Sequence, residues 1–484
     1  MSVVTETLAG WGNYPRAECE VAHPESAKGV RRAVSSAGTI ARGLGRSYGD
    51  PALNEHGRVI AMEGLDGYLG FDEATGTLRC EAGTTLEQII ADFAPRGFFP
   101  MVTPGTKFVT VGGCIANDVH GKAHHADGCF SSCVDSFRKL LASGEVVECS
   151  REANADLFWG TFGGMGLLGV VLDATIRLRP IETTFFHQKA ITARNLDELL
   201  DAIEEHDEIY PYSVAWLDSL ATGDALGRGV LTVGDHAKLA DLSPARRRDP
   251  LRVSAPSPLV VPFDLPSFTL STFTIRILNL VLDQVQSHGA SVAHYEKFFY
   301  PLDFVGEWNR GYGKRGFTQY QFVIPLEGGR DRMRTILSRI AASGCAPFLN
   351  VLKRFGEANE APLSFPFRGW TFAIDFPIGD GLAPLLADLD AIVLEAGGRL
   401  YLGKDAFLDA PTFRRMYPRL DEWLALKGRG AAAAVARARG GAAAREGDFE
   451  ISPPLQPVMQ PAGRVLDLHQ ARVQRHFRVS LVRR

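Results

Sequence analysis

The sequence predicts an α+β fold of two domains, and three observations lead to this prediction. A chain of 484 residues exceeds what one ordinary hydrophobic core encloses, so two domains are the simplest arrangement. Up to about Arg179, short alternating stretches are separated by glycine turns and do not repeat as regular βαβ units. After Pro180 the sequence pattern changes, and helical patterns alternate with strand patterns up to about Gly397.

Individual elements follow from hydrophobic periodicity. Residues 170–178 alternate between apolar and polar side chains, which predicts a half-buried strand that ends at Pro180. Further helices and strands are predicted from the same criteria. The predicted helices cover 26–37, 85–93, 195–205 and 330–343, and the predicted strands cover 319–324 and 370–376.

Composition limits the class of partner. The formal net charge of -4 argues against nucleic-acid binding, which requires a clustered positive face, so a small-molecule partner is expected. Seven cysteines without a CxxC pair predict neither a metal site nor a disulfide framework, and they fit a reducing compartment. The chain starts without a signal-peptide pattern and contains no apolar run of membrane-spanning length. We therefore expect a soluble, cytoplasmic protein.

Three glycine-rich segments concentrate the chemistry, and the first covers residues 41–50. Three glycines within positions 43–49 free the backbone to turn with positive φ and to offer N–H groups to an anion. Arg42, Arg46 and Ser47 add anion-seeking side chains that a plain turn does not require. The segment suits a pyrophosphate, and a tight connection between two strands is the alternative.

The second segment covers residues 104–122. Small residues at 112–116 would let a flat ring lie against the main chain. His120, followed by Gly121 and Lys122, supplies a titratable group beside a cation. A single histidine is more often structural than catalytic, and His124 and His125 compete for the role.

The third segment, residues 163–169, contains the letters GxGxxG. A nicotinamide-binding fingerprint needs a strand before it and a helix at its last glycine. Here a strand pattern follows the glycines instead. We therefore reject the nicotinamide interpretation and expect these glycines to allow close backbone approach near a cofactor.

Seven phrases, in order between about Trp11 and Leu426, carry a resemblance to a known family. They are RGLGRSYGD, PGTKFVTVGGCIANDVHGK, GGMGLLGVV, FTQYQFVIP, APLSFP, GGRLYLGKD and MYPRLDEW. Together they resemble the decaprenylphosphoryl-β-D-ribose 2-oxidase family of the vanillyl-alcohol-oxidase superfamily, which also includes aldonolactone and alditol oxidases. The resemblance implies a two-domain, PCMH-type FAD-binding fold whose central substrate domain is built on a large antiparallel sheet.

The same resemblance implies a domain division. Residues 1–182, joined by 398–427, would bind FAD, and 183–397 would bind substrate. Residues 428–484 depart from the family: they hold ten arginines and no lysine against four acids in an Ala/Arg/Gly-rich run. We expect this tail to be disordered.

Cofactor-binding residues are carried over by motif. Many relatives attach flavin covalently through a histidine, and Arg46 stands at that position, which implies non-covalent FAD. The implied FAD-binding residues are Ala41, Arg42, Gly43, Leu44, Gly45, Arg46, Ser47, Tyr48, Gly49, Asp50, Pro51, Gly105, Thr110, Val111, Gly112, Gly113, Asn117, Asp118, Val119, His120, Val170 and Tyr401.

Substrate-binding and catalytic residues are implied in the same way. Oxidation of a carbinol requires loss of the hydroxyl proton while hydride goes to flavin N5. Lys404, if desolvated, could take that proton or hold the hydroxyl, and His120 is the rival base. On spacing alone, Lys404 would be a solvated strand end. The implied substrate-binding residues are Lys122, Trp216, Tyr300, Gln319, Gln321, Lys353, Ala373 and Lys404.

Two positions near the expected substrate depart from the family. Ala373 replaces an active-site cysteine, and Thr371 replaces an asparagine. Hydride transfer does not need that thiol, so we expect the chemistry to survive. An inhibitor that acts by trapping the thiol should fail.

The resemblance implies a bacterial enzyme that oxidises C2 of a polyprenylphosphoryl-β-D-ribose. A nicotinamide-dependent keto-sugar reductase would then return the arabinose epimer for cell-wall arabinan. A lipid-linked substrate implies peripheral contact with the inner membrane face, where Arg246 to Arg248 beside the apolar 259–282 stretch could dock. An ordinary loop and core helix explain that stretch equally well. The alternatives are an oxygen-using sugar or aldonolactone oxidase and a catalytically silent flavoprotein-like scaffold.

Overall fold

Three β-sheets organise the chain in a computed structural model that describes residues 2–34, 38–254, 259–266, 289–345 and 347–438, with side chains up to 429. The first two sheets are built from residues up to Pro180, and the third begins at Phe185. The α+β class is confirmed. The change of sequence pattern noted after Pro180 coincides with the change from the second sheet to the third.

The first sheet has the strand order β1-β2-β4-β3. Strands β2 and β3 run parallel to β4, whereas β1 pairs antiparallel with β2. The first glycine-rich segment leaves the end of β3. The strands are β1 (Val3–Ala9), β2 (Arg16–Ala22), β3 (Thr39–Arg42) and β4 (Arg58–Ala61).

The second sheet is antiparallel in the order β5-β6-β10-β8-β9, with β7 also paired to β10. The half-buried character predicted for β10 is wrong for its first half, because Val170 to Ala174 are all buried. That half is central in the sheet and packs against α3. The strands are β5 (Tyr68–Asp72), β6 (Thr77–Glu81), β7 (Phe98–Pro100), β8 (Val134–Leu140), β9 (Val146–Ser150) and β10 (Val170–Pro180).

Helices of this first part begin where polar side chains cap them. Ser26 accepts the Gly29 N–H, and Thr85 forms a capping box with Gln88, so two predicted helices are confirmed. The first is shorter than predicted, and residues 35–37 lie outside the described residues. The helices are α1 (Ala27–Ala33), α2 (Leu86–Phe93), α3 (Val111–Asn117), α4 (His124–Asp127) and α5 (Ala155–Thr161).

The third sheet confirms the large antiparallel sheet, with the order β14-β11-β13-β12-β16-β17-β15-β18. Every pairing in it is antiparallel. The strands are β11 (Phe185–Ala193), β12 (Tyr212–Leu217), β13 (Gly229–His236), β14 (Gly289–His294), β15 (Phe317–Pro325), β16 (Asn350–Phe355), β17 (Gly369–Pro377) and β18 (Arg399–Leu400).

Helices cover one face of this sheet, where Tyr320, Phe322, Trp370 and Phe372 join their core. Alternation then turns Gln319, Gln321 and Ala373 to the other face. The predicted helices at 195–205 and 330–343 are confirmed within two residues. The helices are α6 (Leu196–Asp207), α7 (Tyr295–Phe299), α8 (Gly329–Ala342), α9 (Leu382–Glu395), α10 (Ala410–Met416) and α11 (Leu420–Ala438).

The segment after Gly397 contacts both parts of the chain. Its strand β18 pairs with β15, and the Tyr401 hydroxyl donates to the Asn117 carbonyl at 3.0 Å. Within α11, the Trp423 indole donates to the Gly160 carbonyl at 2.8 Å. The disorder predicted from residue 428 is wrong for 428–438, which continue α11; their alanines are strong helix formers. The remaining predicted tail, 439–484, lies outside the described residues.

Among the described helices, none combines the length and the apolar character that a membrane crossing requires.

Trp423 gives a test of how α11 is anchored. Trp423→Ala removes a buried ring and its hydrogen bond, so we expect unfolding free energy to fall by about 3–5 kcal/mol. Trp423→Phe keeps most of the ring and should cost about 1–2 kcal/mol. Denaturant unfolding monitored by circular dichroism measures both. A Trp423→Ala protein as stable as the parent would contradict this packing.

Candidate active site

One cavity of about 280 Å³ brings the glycine-rich segments together with the inner face of the third sheet. Most predicted FAD-binding residues line it: Ala41, Gly43, Leu44, Gly45, Arg46, Ser47, Tyr48, Pro51, Gly105, Thr110, Gly112, Gly113, Asn117, Val119, His120 and Tyr401. Five predicted substrate-binding residues line it too: Gln319, Gln321, Lys353, Ala373 and Lys404. Residues far apart in the chain therefore share one wall.

The first glycine-rich segment needs its glycines mainly for space. Of its three glycines only Gly45 has positive φ, at 63°, so the predicted freedom to turn with positive φ is used at one position. A Cβ at Gly43 would overlap the Thr110 side chain, and one at Gly49 would overlap the Asp405 carbonyl. The glycines thus let this segment lie directly against the second segment and the returning chain.

The second segment presents the first turn of α3 to the cavity. The Thr110 hydroxyl caps the helix by accepting the Gly113 N–H at 3.2 Å. A Cβ at Gly112 would lie 3.0 Å from the Ala82 side chain, so a larger residue would be crowded there. Small residues therefore bring main chain to the cavity surface, as the sequence predicted.

Glycines of the third segment also reach the cavity. Met165, Gly166 and Gly169 line it, and β10 follows without an intervening helix. This arrangement agrees with close backbone approach and with rejection of a nicotinamide fingerprint.

Two buried polar atoms in the wall have no protein partner among the described residues. They are Arg46 Nε and His120 Nδ1. A buried polar atom without a partner costs about 1–3 kcal/mol, so both favour a polar ligand in this cavity. The unpartnered donor atoms and the backbone that the glycines expose to the cavity fit FAD. The Arg46 guanidinium lies 3.8 Å from the Trp11 ring centroid, and arginine offers no nucleophile for covalent attachment.

Lys404 lines the cavity and is half-buried. Its Nζ lies 3.8 Å from the Tyr48 ring centroid. Burial lowers the pKa of Lys404, the charge of Asp375 partly offsets this, and Lys353 lowers it further. This amine therefore releases its proton more readily than an ordinary lysine.

His120 sits beside this lysine as a neutral imidazole. Burial lowers its pKa well below the usual range, and Lys353, His124 and Lys404 lower it further. Its Nε2 lies 3.0 Å from Gln321 Nε2, so this nitrogen can accept a hydrogen bond. Gln321 Nε2 also donates to the Thr371 hydroxyl at 3.2 Å.

Lys353 gives the same wall a second amine. Burial lowers its pKa to about 8. Together with Arg46 and Lys404 it makes the cavity basic, with Asp303 as the acidic lining residue.

Three predicted substrate-binding residues do not line this cavity. Lys122 donates to the Phe298 carbonyl beside a separate space of about 10 Å³, room for about one water. Tyr300 is buried, and its hydroxyl lies 2.6 Å from Thr103 Oγ1. Trp216 lies on β12 opposite Val351, one strand beyond the lining.

Six predicted FAD-binding residues also lie outside the lining, and the polar side chains of two of them bond to the surrounding structure. Arg42 donates to the Ala9 carbonyl at 2.6 Å, and Asp118 accepts from Asn359 and Ser364 at 2.6 Å each. The other four are Gly49, whose backbone packs against Asp405, then Asp50, and the core residues Val111 and Val170. Val171 lines the cavity in place of Val170.

Several lining residues were not predicted. Leu302, Asp303 and Trp308 belong to a loop without a recognisable motif, and Trp11 precedes the glycine-rich segments. Asp375 lies behind the lining and was also not predicted. The sequence could have indicated it, because it is the one charged residue in the apolar strand pattern 370–376.

Comparisons with known proteins agree with this geometry. A family model described as an FAD binding domain matches residues 20–150. Decaprenylphosphoryl-beta-D-ribose oxidase of Mycolicibacterium smegmatis is 41% identical over 432 residues, covering 87% of this chain and 94% of that protein. L-gulono-1,4-lactone dehydrogenase of Mycobacterium tuberculosis is 23% identical over 441 residues, covering 87% and 95%. L-gulonolactone oxidase of Mus musculus is 30% identical over 170 residues, covering 34% and 36%.

Gly43→Ala tests the contact between the first two segments. The added Cβ meets Thr110, so overpacking of about 1–3 kcal/mol should displace the α3 cap and raise the dissociation constant for FAD about 5- to 150-fold. Titration of apoprotein with FAD, followed by fluorescence, measures the constant. Gly70→Ala is the matched control, since nothing lies within 4 Å of its Cβ. Equal FAD affinity in the two variants would contradict the close approach.

Proposed function

This chain belongs to the family of FAD-dependent oxidoreductases that includes decaprenylphosphoryl-beta-D-ribose oxidase, and on that basis we propose that it oxidises C2 of a polyprenylphosphoryl-β-D-ribose. The single observation that carries the proposal is the convergence of Lys404, His120 and Gln321 on the cavity that also contains the glycine-rich segments. FAD, when bound, supplies the acceptor for the hydride.

Lys404 is the proton acceptor in this proposal. An enclosed amine with a lowered pKa is partly neutral near neutrality and can take the proton from a substrate hydroxyl. His120 and Gln321 hold the alcohol: while His120 Nε2 accepts from the Gln321 amide, its Nδ1–H is the free donor, and the Gln321 amide oxygen is the acceptor. His120 remains the rival base, because its unprotonated imidazole could accept the same proton.

The charge of the cavity favours a phosphorylated sugar. Lys353 and Arg46 bring positive charge to the cavity, and an anionic phosphate would be attracted to it. Ala373 leaves the strand face beside Gln321 free of a reactive thiol. The product would be a 2-keto sugar, and we propose that a nicotinamide-dependent reductase completes its epimerisation to the arabinose form.

Non-covalent FAD is part of the same proposal. Arg46 occupies the position of the attachment histidine, and its guanidinium packs on Trp11. Acid precipitation should therefore release all flavin into the supernatant.

A soluble-sugar or lactone oxidase is the second candidate. The similarity to L-gulono-1,4-lactone dehydrogenase favours it, because that relative is matched over 95% of its length. Oxygen-dependent hydrogen peroxide formation with free alditols or lactones would distinguish it from an enzyme that needs a lipid-linked sugar.

Lys404→Ala tests the assigned base. Loss of a general base costs about 10²- to 10⁴-fold in rate, so anaerobic flavin bleaching by lipid-linked ribose should slow by that factor while FAD stays bound. Stopped-flow absorbance measures the rate. Lys238→Ala is the matched control, because Lys238 is exposed, and its flavin should bleach at the normal rate. A normal rate in Lys404→Ala would exclude this lysine as an essential group.

We also propose peripheral membrane contact near the cavity. Val260, Phe263 and Phe304 are exposed by 51%, 62% and 62%, and Phe304 adjoins the lining residues Leu302 and Asp303. In the predicted docking segment, Arg246 and Arg247 donate to backbone carbonyls. Residues 267–282 of the predicted apolar stretch lie outside the described residues.

Replacing Phe263 and Phe304 together by serine tests this contact. Each buried phenylalanine contributes about 1.5–3 kcal/mol, so the double variant should bind anionic-lipid vesicles at least about tenfold more weakly in a sedimentation assay. Ile209→Ser is the matched control, because Ile209 is 66% exposed in another loop. Equal sedimentation of the double variant and the parent would contradict the proposal.

A further inference from the structure

Asp375 is a carboxylate without a role in the function proposed above. It lies on β17, two residues beyond Ala373, so both side chains point toward the cavity side of the sheet. It has no exposed surface and lies behind the lining residue Gln319. Burying a carboxylate is costly, so its surroundings must compensate the charge.

Two side chains hold the carboxylate in place. Gln319, its cross-strand neighbour, donates from Nε2 to Asp375 Oδ1 at 2.5 Å. The Tyr312 hydroxyl donates to Asp375 Oδ2 at 3.2 Å. Both oxygens are therefore oriented by groups from different elements, β15 and the turn at Trp308–Tyr312.

Lys404 lies near this carboxylate. Its Nζ lies 3.8 Å from the Tyr48 ring centroid, and Tyr48 packs in one cluster with Tyr312, which donates to Asp375. Gln319, the other residue that donates to Asp375, lines the same cavity as Lys404. Asp375 opposes the effect of burial on the Lys404 pKa, and Lys404 does the same for the raised pKa of Asp375. Tyr48 and Tyr312 are the other titratable groups facing Asp375, and Lys353 acts on Lys404 from β16. Asp375 is thus the negative charge that acts on this lysine, and Lys353 is the opposing positive charge.

We propose that Asp375 is a positioning residue that sets the basicity of Lys404 through the charge it places behind the cavity wall. The inference rests on the proposed function. The substrate O–H bond breaks, its proton forms a new N–H bond on Lys404, and the C–H electron pair leaves as hydride to the cofactor while the carbonyl forms. The Asp375 carboxylate stabilises the ammonium that this step creates.

Asp375→Asn should change the pH profile of flavin reduction. The parent rate rises with pH as Lys404 loses its proton. Without the carboxylate, burial and Lys353 act unopposed, so the midpoint should move to lower pH by about one unit or more, and the plateau rate should fall because the amine is a weaker base. Anaerobic stopped-flow reduction by lipid-linked ribose, measured at about ten pH values between roughly pH 5 and pH 10, gives both the midpoint and the plateau rate.

Two further variants keep the test decisive. Asp390→Asn is the matched control: Asp390 is buried and bonded to the Tyr320 hydroxyl at 2.8 Å on the opposite face, so its loss should leave the midpoint unchanged. If Asp375→Asn yields no folded holoenzyme, Tyr312→Phe replaces it. Loss of that hydrogen bond makes Asp375 harder to ionise, so the midpoint should again move to lower pH. A slower variant with an unmoved midpoint would overturn the inference and leave Asp375 a structural residue.

A second readout separates this inference from the proposed function. Acetic anhydride acylates only neutral amines, so its pH-dependent reaction at Lys404 in the holoenzyme, read by mass spectrometry, reports the lysine pKa without any sugar. An acid shift in Asp375→Asn alongside no bleaching by any sugar would keep the inference and reject the function. Normal bleaching with no shift by either readout would reject the inference and keep the function.

Discussion

Enclosure of lysine amines in the wall of one cavity is the constraint on which the site depends. Burial lowers the pKa of both Lys353 and Lys404, because an ammonium loses its hydration there. A lysine in water would stay protonated at neutral pH and could not accept a proton. The site therefore needs walls that exclude water, and the fold supplies them from three separate stretches of chain.

Close backbone contacts make that enclosure possible. Gly43 lies against Thr110 of the second segment, and Gly49 lies against Asp405 of the returning chain, where any Cβ would overlap. The same returning chain carries Lys404 and adds β18 to the third sheet. Because Lys404 sits between a glycine-rich segment and the sheet, changes in either one alter its surroundings. The close contacts of Gly43 and Gly49 therefore affect the surroundings of Lys404 directly.

Periodicity predicted the fold class, and the family resemblance implied the large antiparallel sheet and most lining residues. Strand patterns such as 370–376 show which side chains share a face, but not what lies across from that face. Val170 and Val171 illustrate this limit: Val170 was carried over by motif as an FAD-binding residue, yet its neighbour Val171 lines the cavity. Lys122, Tyr300 and Arg42 lie outside the lining because their polar atoms bond to residues far away in the sequence, which only the tertiary structure reveals. Helix 428–438 was missed because composition outweighed alanine propensity.

A crystal structure of the protein saturated with FAD would test the central claim most directly. The account predicts cofactor density that runs along the glycine-rich segments, meets Arg46 and His120, and leaves room for a sugar beside Lys404. FAD bound elsewhere, or bound in this cavity without contact to either Arg46 Nε or His120 Nδ1, would contradict it.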